Sequence, residues 1–131
     1  AVEKSRKVYC KELRSMVLEN LGDFGFKRHA LPDVAQFSRT SGIIAQDLNG
    51  DAKTDLVLLG NFSPYRVQLG PCDASVGAVL KQVAPFRFEA LPPSETGVWA
   101  GGDIRSAVLL NKKRILFTVN DDQPVLLEWK K

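Results

Sequence analysis

Between Asp47 and Asp55 the chain reads DLNGDAKTD, which places Asp47, Asn49, Asp51 and Asp55 within nine residues, directly before the apolar run LVLLG. Three carboxylates held about 5 Å apart repel one another by roughly 3 kcal/mol per pair at an effective dielectric near 20, unless a cation lies between them. The spacing therefore points to a metal. When the backbone curls, side chains at the first, third and fifth loop positions converge, the seventh residue, Lys53, offers its carbonyl, and Asp55 closes the cage. Hard oxygens without nitrogen or sulfur suit Ca²⁺ rather than zinc, so the expected ligands are the side chains of Asp47, Asn49, Asp51 and Asp55 and the carbonyl of Lys53. An EF-hand requires a bidentate Glu at the twelfth position and flanking helices, whereas the twelfth residue here is Leu58, within a strand-like run. The metal-free alternative is an Asx-rich hairpin turn, in which Asp and Asn satisfy backbone donors.

Other reactive side chains give weaker signals. His29 is the only histidine, lies beside Arg28 in a strand-like stretch and has no Ser or Cys nucleophile in a recognisable elbow, so a surface or edge-strand role is expected. Asp121 and Asp122 in VNDDQP read as a hairpin turn, with a second, weaker cation position as the alternative. Asp103 and Arg105 in GGDIR are expected to form strand-entry hydrogen bonds or an exposed ion pair. Trp99 and Trp129 are expected to pack between sheets, with Trp99 alternatively exposed in a loop where a sugar ring or peptide stacks. Cys10 and Cys72 allow one disulfide or none, and neither has a second Cys or His at zinc spacing. No acid/base pair or nucleophile is discernible, so no catalytic residues are assigned and a non-catalytic role is expected.

The elements that must position the acidic loop read as all-β. Helical periodicity is weak, and short β-branched and aliphatic runs recur between Gly, Pro, Asn and Asp. Nine strands are expected at Ser15–Asn20, Phe26–Ala30, Gly42–Asp47, Asp55–Asn61, Val76–Lys81, Phe86–Leu91, Ile104–Leu110, Arg114–Asn120 and Pro124–Lys130. The opening VEKSRKVYCKELRS holds no clean apolar stripe and stays ambiguous between helical turns and loop. LENLGDFGFKRHALPD and VLKQVAPFRFEALPPS share a frame of aliphatic strand, short turn, Phe-containing strand and Leu-Pro exit. That frame implies a unit of roughly 60 residues, consistent with a four-stranded antiparallel blade. One β-repeat domain over 1–131 is expected: a blade remnant near 13–31, a full blade near 42–92 and a partial blade near 100–131, a partial β-propeller of two to three blades. Closing a propeller takes at least four blades. The chain is thus expected to be cut from a longer propeller, to associate with copies of itself, or to stack as an open sandwich.

With 131 residues, the chain is long enough for one domain and too short for two independent cores. The first residues, AVEKSRKVY, lack the apolar core of a signal peptide, no run approaches the length of a membrane span, and Ala1 is expected to follow a cleavage site or the boundary of a longer chain. Net charge is +3, from 18 basic and 15 acidic residues, and the one basic cluster, Asn111 to Arg114, lacks interleaved aromatics. Neither nucleic-acid binding nor membrane insertion is expected.

The loop and following strand, DLNGDAKTDLVLLGN, resemble the cation loop of FG-GAP/VCBS repeats found in integrin α-chain-like β-propellers. A wider likeness from Glu19 to Trp129 is similar to the C-terminal part of bacterial exported VCBS-repeat propellers, including those with an ASPIC/UnbV segment. The resemblance implies an extracytoplasmic (secreted, periplasmic or cell-surface) propeller that binds Ca²⁺ in a blade loop and serves as a binding or adhesion module for a protein or carbohydrate. A self-associating structural repeat, or an accessory part of a larger secreted polysaccharide-acting enzyme, are the alternatives. Carried over by residue, the motif puts ligands on Asp47, Asn49, Asp51 and Asp55 and a backbone ligand on Lys53. The chain departs from the pattern at the sixth loop position, usually Gly and here Ala52, where a positive φ costs about 1 kcal/mol. It departs again at GPCDAS, Gly70 to Ser75, where relatives read GRYDAS, so no Arg-Tyr role transfers and Cys72 becomes a small buried residue or a lone thiol. The last blade carries NKKR in place of the acidic loop, so one complete cation site is expected.

Overall fold

The computed structural model describes residues 6, 8–63, 68 and 70–129. Its strands are β1 (Met16–Gly22), β2 (Gly25–Ala30), β3 (Thr40–Gln46), β4 (Asp55–Gly60), β5 (Ala78–Ala84), β6 (Arg87–Leu91), β7 (Ile104–Asn111), β8 (Arg114–Val119) and β9 (Val125–Glu128). All nine coincide with the runs expected from the sequence, with ends shifted by a few residues. They form three antiparallel sheets in chain order, β1-β2, β3-β4-β5-β6 and β7-β8-β9. The protein is therefore all-β, with a complete four-stranded meander between a two-stranded and a three-stranded one. The ambiguous opening falls partly outside the described residues; 8–14 form neither helix nor strand.

Packing of the central sheet explains why β4 reads as an unbroken apolar run after its first residue. All six residues of β4 are buried, as a strand covered on both faces requires. Val57 and Leu59 join Ile44, Val79, Ile104, Ile115 and Phe117 in one core cluster, between the central and C-terminal sheets. Leu56 and Leu58 join Leu80, Ala78, Leu31 and Ala35 in a second cluster, against the N-terminal hairpin and its exit. The central sheet is thus sandwiched. Close approach of β3 to β7 needs Gly42, because a Cβ there would lie 2.7 Å from the Ala107 Cβ.

The internal repeat has a physical role. Each Leu-Pro exit leads into one short helical turn, Asp33–Gln36 after β2 and Pro93–Thr96 (α1) after β6. Leu31 of the first exit is buried in the cluster between the first two sheets, and Leu91 of the second packs against the cluster between the last two. The same element therefore plugs successive sheet interfaces. Both hairpins turn through residues at positive φ, Asp23 (44°) and Phe24 (61°) in the first and Phe86 (59°) in the second. Two consecutive positive φ values give the β1–β2 turn the geometry whose twist matches that of paired strands.

Asn61, 2% exposed and at φ 77°, joins the sheets where β4 ends. Its side-chain amide donates to the Ser75 carbonyl at 2.7 Å and the Gly102 carbonyl at 3.2 Å, and its Oδ1 accepts from the Ser75 N–H at 3.1 Å. Asp103, expected in strand-entry hydrogen bonds or an exposed ion pair, is 4% exposed. Its Oδ2 accepts from Arg105 at 2.7 Å, so the pair is formed, but its acidic half is buried at the entry to β7. Trp129 packs against the first cluster as expected. Trp99 does not, being 73% exposed in the loop before β7, because Val98 and Ala100 on either side of it point inward instead.

Truncating Leu80, which is fully buried, to Ala is expected to cost about 2–5 kcal/mol in urea unfolding. Leu18→Ala on the open face of β1, where the side chain is 54% exposed, is expected to cost less than about 1 kcal/mol. Asn61→Ala removes the partner of the part-buried Ser75 N–H and of two carbonyls, and is expected to cost about 1–3 kcal/mol despite removing no apolar contact.

Candidate cation loop

Strand β3 ends at Gln46, which pairs with Asp55 at the start of β4, so residues 47–54 form the connecting loop. A single side chain organises it. The Asp47 Oδ1 accepts from the N–H groups of Asn49 (3.2 Å), Gly50 (2.6 Å) and Asp51 (3.2 Å), and its Oδ2 from that of Ala52 (2.8 Å). These donors, the Gly50 N–H foremost and then that of Ala52, hold the Asp47 carboxyl below its ordinary range by favouring the ionised form. Asn49 Oδ1 accepts from the Asp51 N–H at 2.8 Å, and Asp51 Oδ1 from the Lys53 N–H at 2.9 Å, so successive Asx turns wind the loop. Asn49 Nδ2 also donates to Asp51 Oδ2 at 3.3 Å, with the Lys53 ammonium 3.8 Å from that oxygen.

Asp55 has a different setting. It is 2% exposed, and its two oxygens accept from the Leu48 N–H (3.2 Å) and the Gln82 N–H (2.9 Å). The Gln82 side chain in turn accepts from the Thr54 N–H at 3.1 Å. Asp55 therefore fastens the loop to β5, while Asp47, Asn49 and Asp51 interlock on the solvent side. No basic side chain among the described residues lies within ion-pair distance of Asp55. Gln82 was not foreseen as part of the site. Following Lys81 in AVLKQVA, it carries no local signal, and only the β4–β5 pairing connects it to the loop.

The donors suit a hard dication in type and in charge, three carboxylates with amide and carbonyl oxygens. Their oxygens are directed at backbone N–H groups, and among the described residues no three His, Cys, Asp or Glu side chains are gathered in a metal-holding group. Gly50 and Ala52 take φ of 86° and 63°, so the expectation of a positive φ at the sixth loop position holds.

The remaining candidates lie elsewhere. His29, on β2, meets the Glu19 Oε2 at 2.8 Å and stacks on Phe86 with ring centroids 5.0 Å apart, which bridges the first two sheets. Asp121, at φ 56°, and Asp122 form the turn between β8 and β9. Cys10 and Cys72 are both free thiols. No helix of the described residues is long and apolar enough to cross a membrane.

No protein-family model, curated protein or solved structure matches the chain.

Two outcomes follow from the loop geometry. Ala52→Gly relieves the left-handed strain of an L-residue and is expected to stabilise the fold by about 1 kcal/mol in chemical denaturation. Because the Asp47 carboxyl is depressed in the folded state, the stability it contributes is present above the ordinary Asp range, near pH 4, and is lost as pH falls through its depressed value. Asp47→Asn is expected to flatten the dependence of stability on pH below about 4, read by unfolding at a series of pH values.

Proposed function

We propose that the chain is a non-catalytic binding module of the FG-GAP/VCBS kind, a segment of stacked propeller blades working outside the cytoplasm, whose acidic loop takes up Ca²⁺. The observation that carries this reading is Asp55, a buried carboxylate with no basic partner among the described residues, at the base of a loop that holds two further carboxylates. Charges in such a place are compensated by a counter-ion, and hard oxygens select a hard one. Asp47, Asn49, Asp51 and Asp55 would hold the ion with side-chain oxygens and Lys53 with its carbonyl. The ion would neutralise the loop and fix the β3–β4 turn, leaving a rigid frame whose neighbouring loops contact a protein or a carbohydrate.

Two observations favour other readings of parts of this. The four N–H groups on the Asp47 carboxylate support an Asx turn that stands without an ion. Val108, Leu110 and Leu126, all more than half exposed on β7 and β9, support a repeat that associates with its own copies.

Melting curves in millimolar Ca²⁺ and in excess chelator decide the first point. The calcium reading expects Tm to rise by several degrees with Ca²⁺, and Asp51→Ala to abolish that rise while changing the chelator value little. Equal Tm values in both buffers would leave the loop as an Asx turn. Solution mass decides the second, since a monomer across the micromolar range excludes self-association.

A further inference from the structure

Beside the acidic loop, between the central and C-terminal sheets, lies a cavity of about 210 Å³ that is partly open to solvent. Val57, Val79 and Leu127 line its interior, together with the ring of Trp129. Its polar lining comes from the loop and the start of β4 (Asn49, Asp55) and from α1 (Glu95, Thr96), and no Lys, Arg or His takes part in the lining. The Glu95 carboxylate makes no hydrogen bond or ion pair with any described residue. Each oxygen of Asp55 accepts one backbone N–H and so retains further acceptor capacity. Ionised carboxylates accept hydrogen bonds and donate none, so the polar end of the cavity is complementary to a donor bearing positive charge.

We propose that this cavity binds a small organic ammonium ion with an apolar or aromatic body, its NH₃⁺ group between Asp55 and Glu95 and its body against Val57, Val79, Leu127 and Trp129. Size agrees with this class. A cavity of about 150 Å³ holds a benzene ring, so the larger volume here takes a ring with a short aminoalkyl arm. The charges agree as well, since an anion would meet two carboxylates and a neutral molecule would leave both without a counter-charge. The proposal shares Asp55 with the calcium reading, and Glu95, which lies outside the loop, distinguishes the two.

The test is titration of the full chain, in chelator, with phenethylamine and with its neutral isostere 2-phenylethanol. Trp129 fluorescence is read in a Trp99→Phe background, in which the exposed second indole is silent. Phenethylamine is expected to bind about tenfold more tightly than the alcohol, and Glu95→Gln to remove most of that preference while leaving the weak affinity for the alcohol unchanged. Glu95 is exposed on a single helical turn, so this variant folds as the parent does. Equal binding of amine and alcohol would reduce the cavity to an apolar gap between sheets and overturn the proposal. So would an unaltered preference in Glu95→Gln, or the absence of binding by both probes at millimolar concentration. Because every titration is run without Ca²⁺, failure of the amine to bind and failure of Ca²⁺ to raise Tm are separate results.

Discussion

Burial of β4 on both faces is the constraint from which the rest of the structure follows. An antiparallel strand usually keeps one face wet, and covering its second face requires another layer of sheet. Here Val57 and Leu59 face the C-terminal sheet, and Leu56 and Leu58 face the N-terminal hairpin and its exit. The two outer sheets are each covered on one side only, and their open faces carry Leu18 and Phe26 at one end of the stack and Val108, Leu110 and Leu126 at the other. Ile43, directly opposite Leu58 and on the same face, is 64% exposed, because the two-stranded sheet does not extend over β3.

Polar groups buried at the joints hold this stack in register. Asp55 opens β4 and bonds the backbone of Leu48 and Gln82; Asn61 follows β4 and bonds Ser75 and Gly102. The strand is thus clamped at both ends by side chains that satisfy main-chain groups of neighbouring segments. Such groups are costly to leave unpaired in a dry interior, so they specify one arrangement of the connections more sharply than apolar contacts do. Asp103 is the exception, with Oδ1 buried and without a partner among the described residues while Oδ2 pairs with Arg105. The acidic loop belongs to the same system, since its only buried carboxylate is also the anchor of β4.

Local patterns were legible because each rests on interactions a few residues apart. Short β-branched and aliphatic runs such as MVLEN, LVLLG and RILFTV, with the Gly, Pro, Asn and Asp between them, located every strand. The paired Leu-Pro exits revealed a repeated hairpin, and their shared duty as plugs between sheets explains why that frame recurs. Within the loop, the spacing points first to a cation and offers Asx turns as the metal-free alternative; the bonds of Asp47, Asn49 and Asp51 to backbone N–H groups are those of Asx turns. Of the two readings for Trp99 its size favours packing, but the exposed one holds, since the alternation Val98, Trp99, Ala100 sends it outward and its small neighbours inward.

The amino-acid sequence by itself determined the strands, their turns, the acidic loop and the order of the hairpins, since side-chain periodicity, Asx chemistry and backbone preference act within a few residues. Only the tertiary structure decided that Gln82 completes the loop, that Asn61 ties three segments together, that Asp103 is buried, and that Asp55, Glu95 and Trp129 border one cavity. Those relations join positions far apart in the chain, brought together by the face-to-face packing of separate sheets. No local pattern encodes which residues the two layers will present to each other.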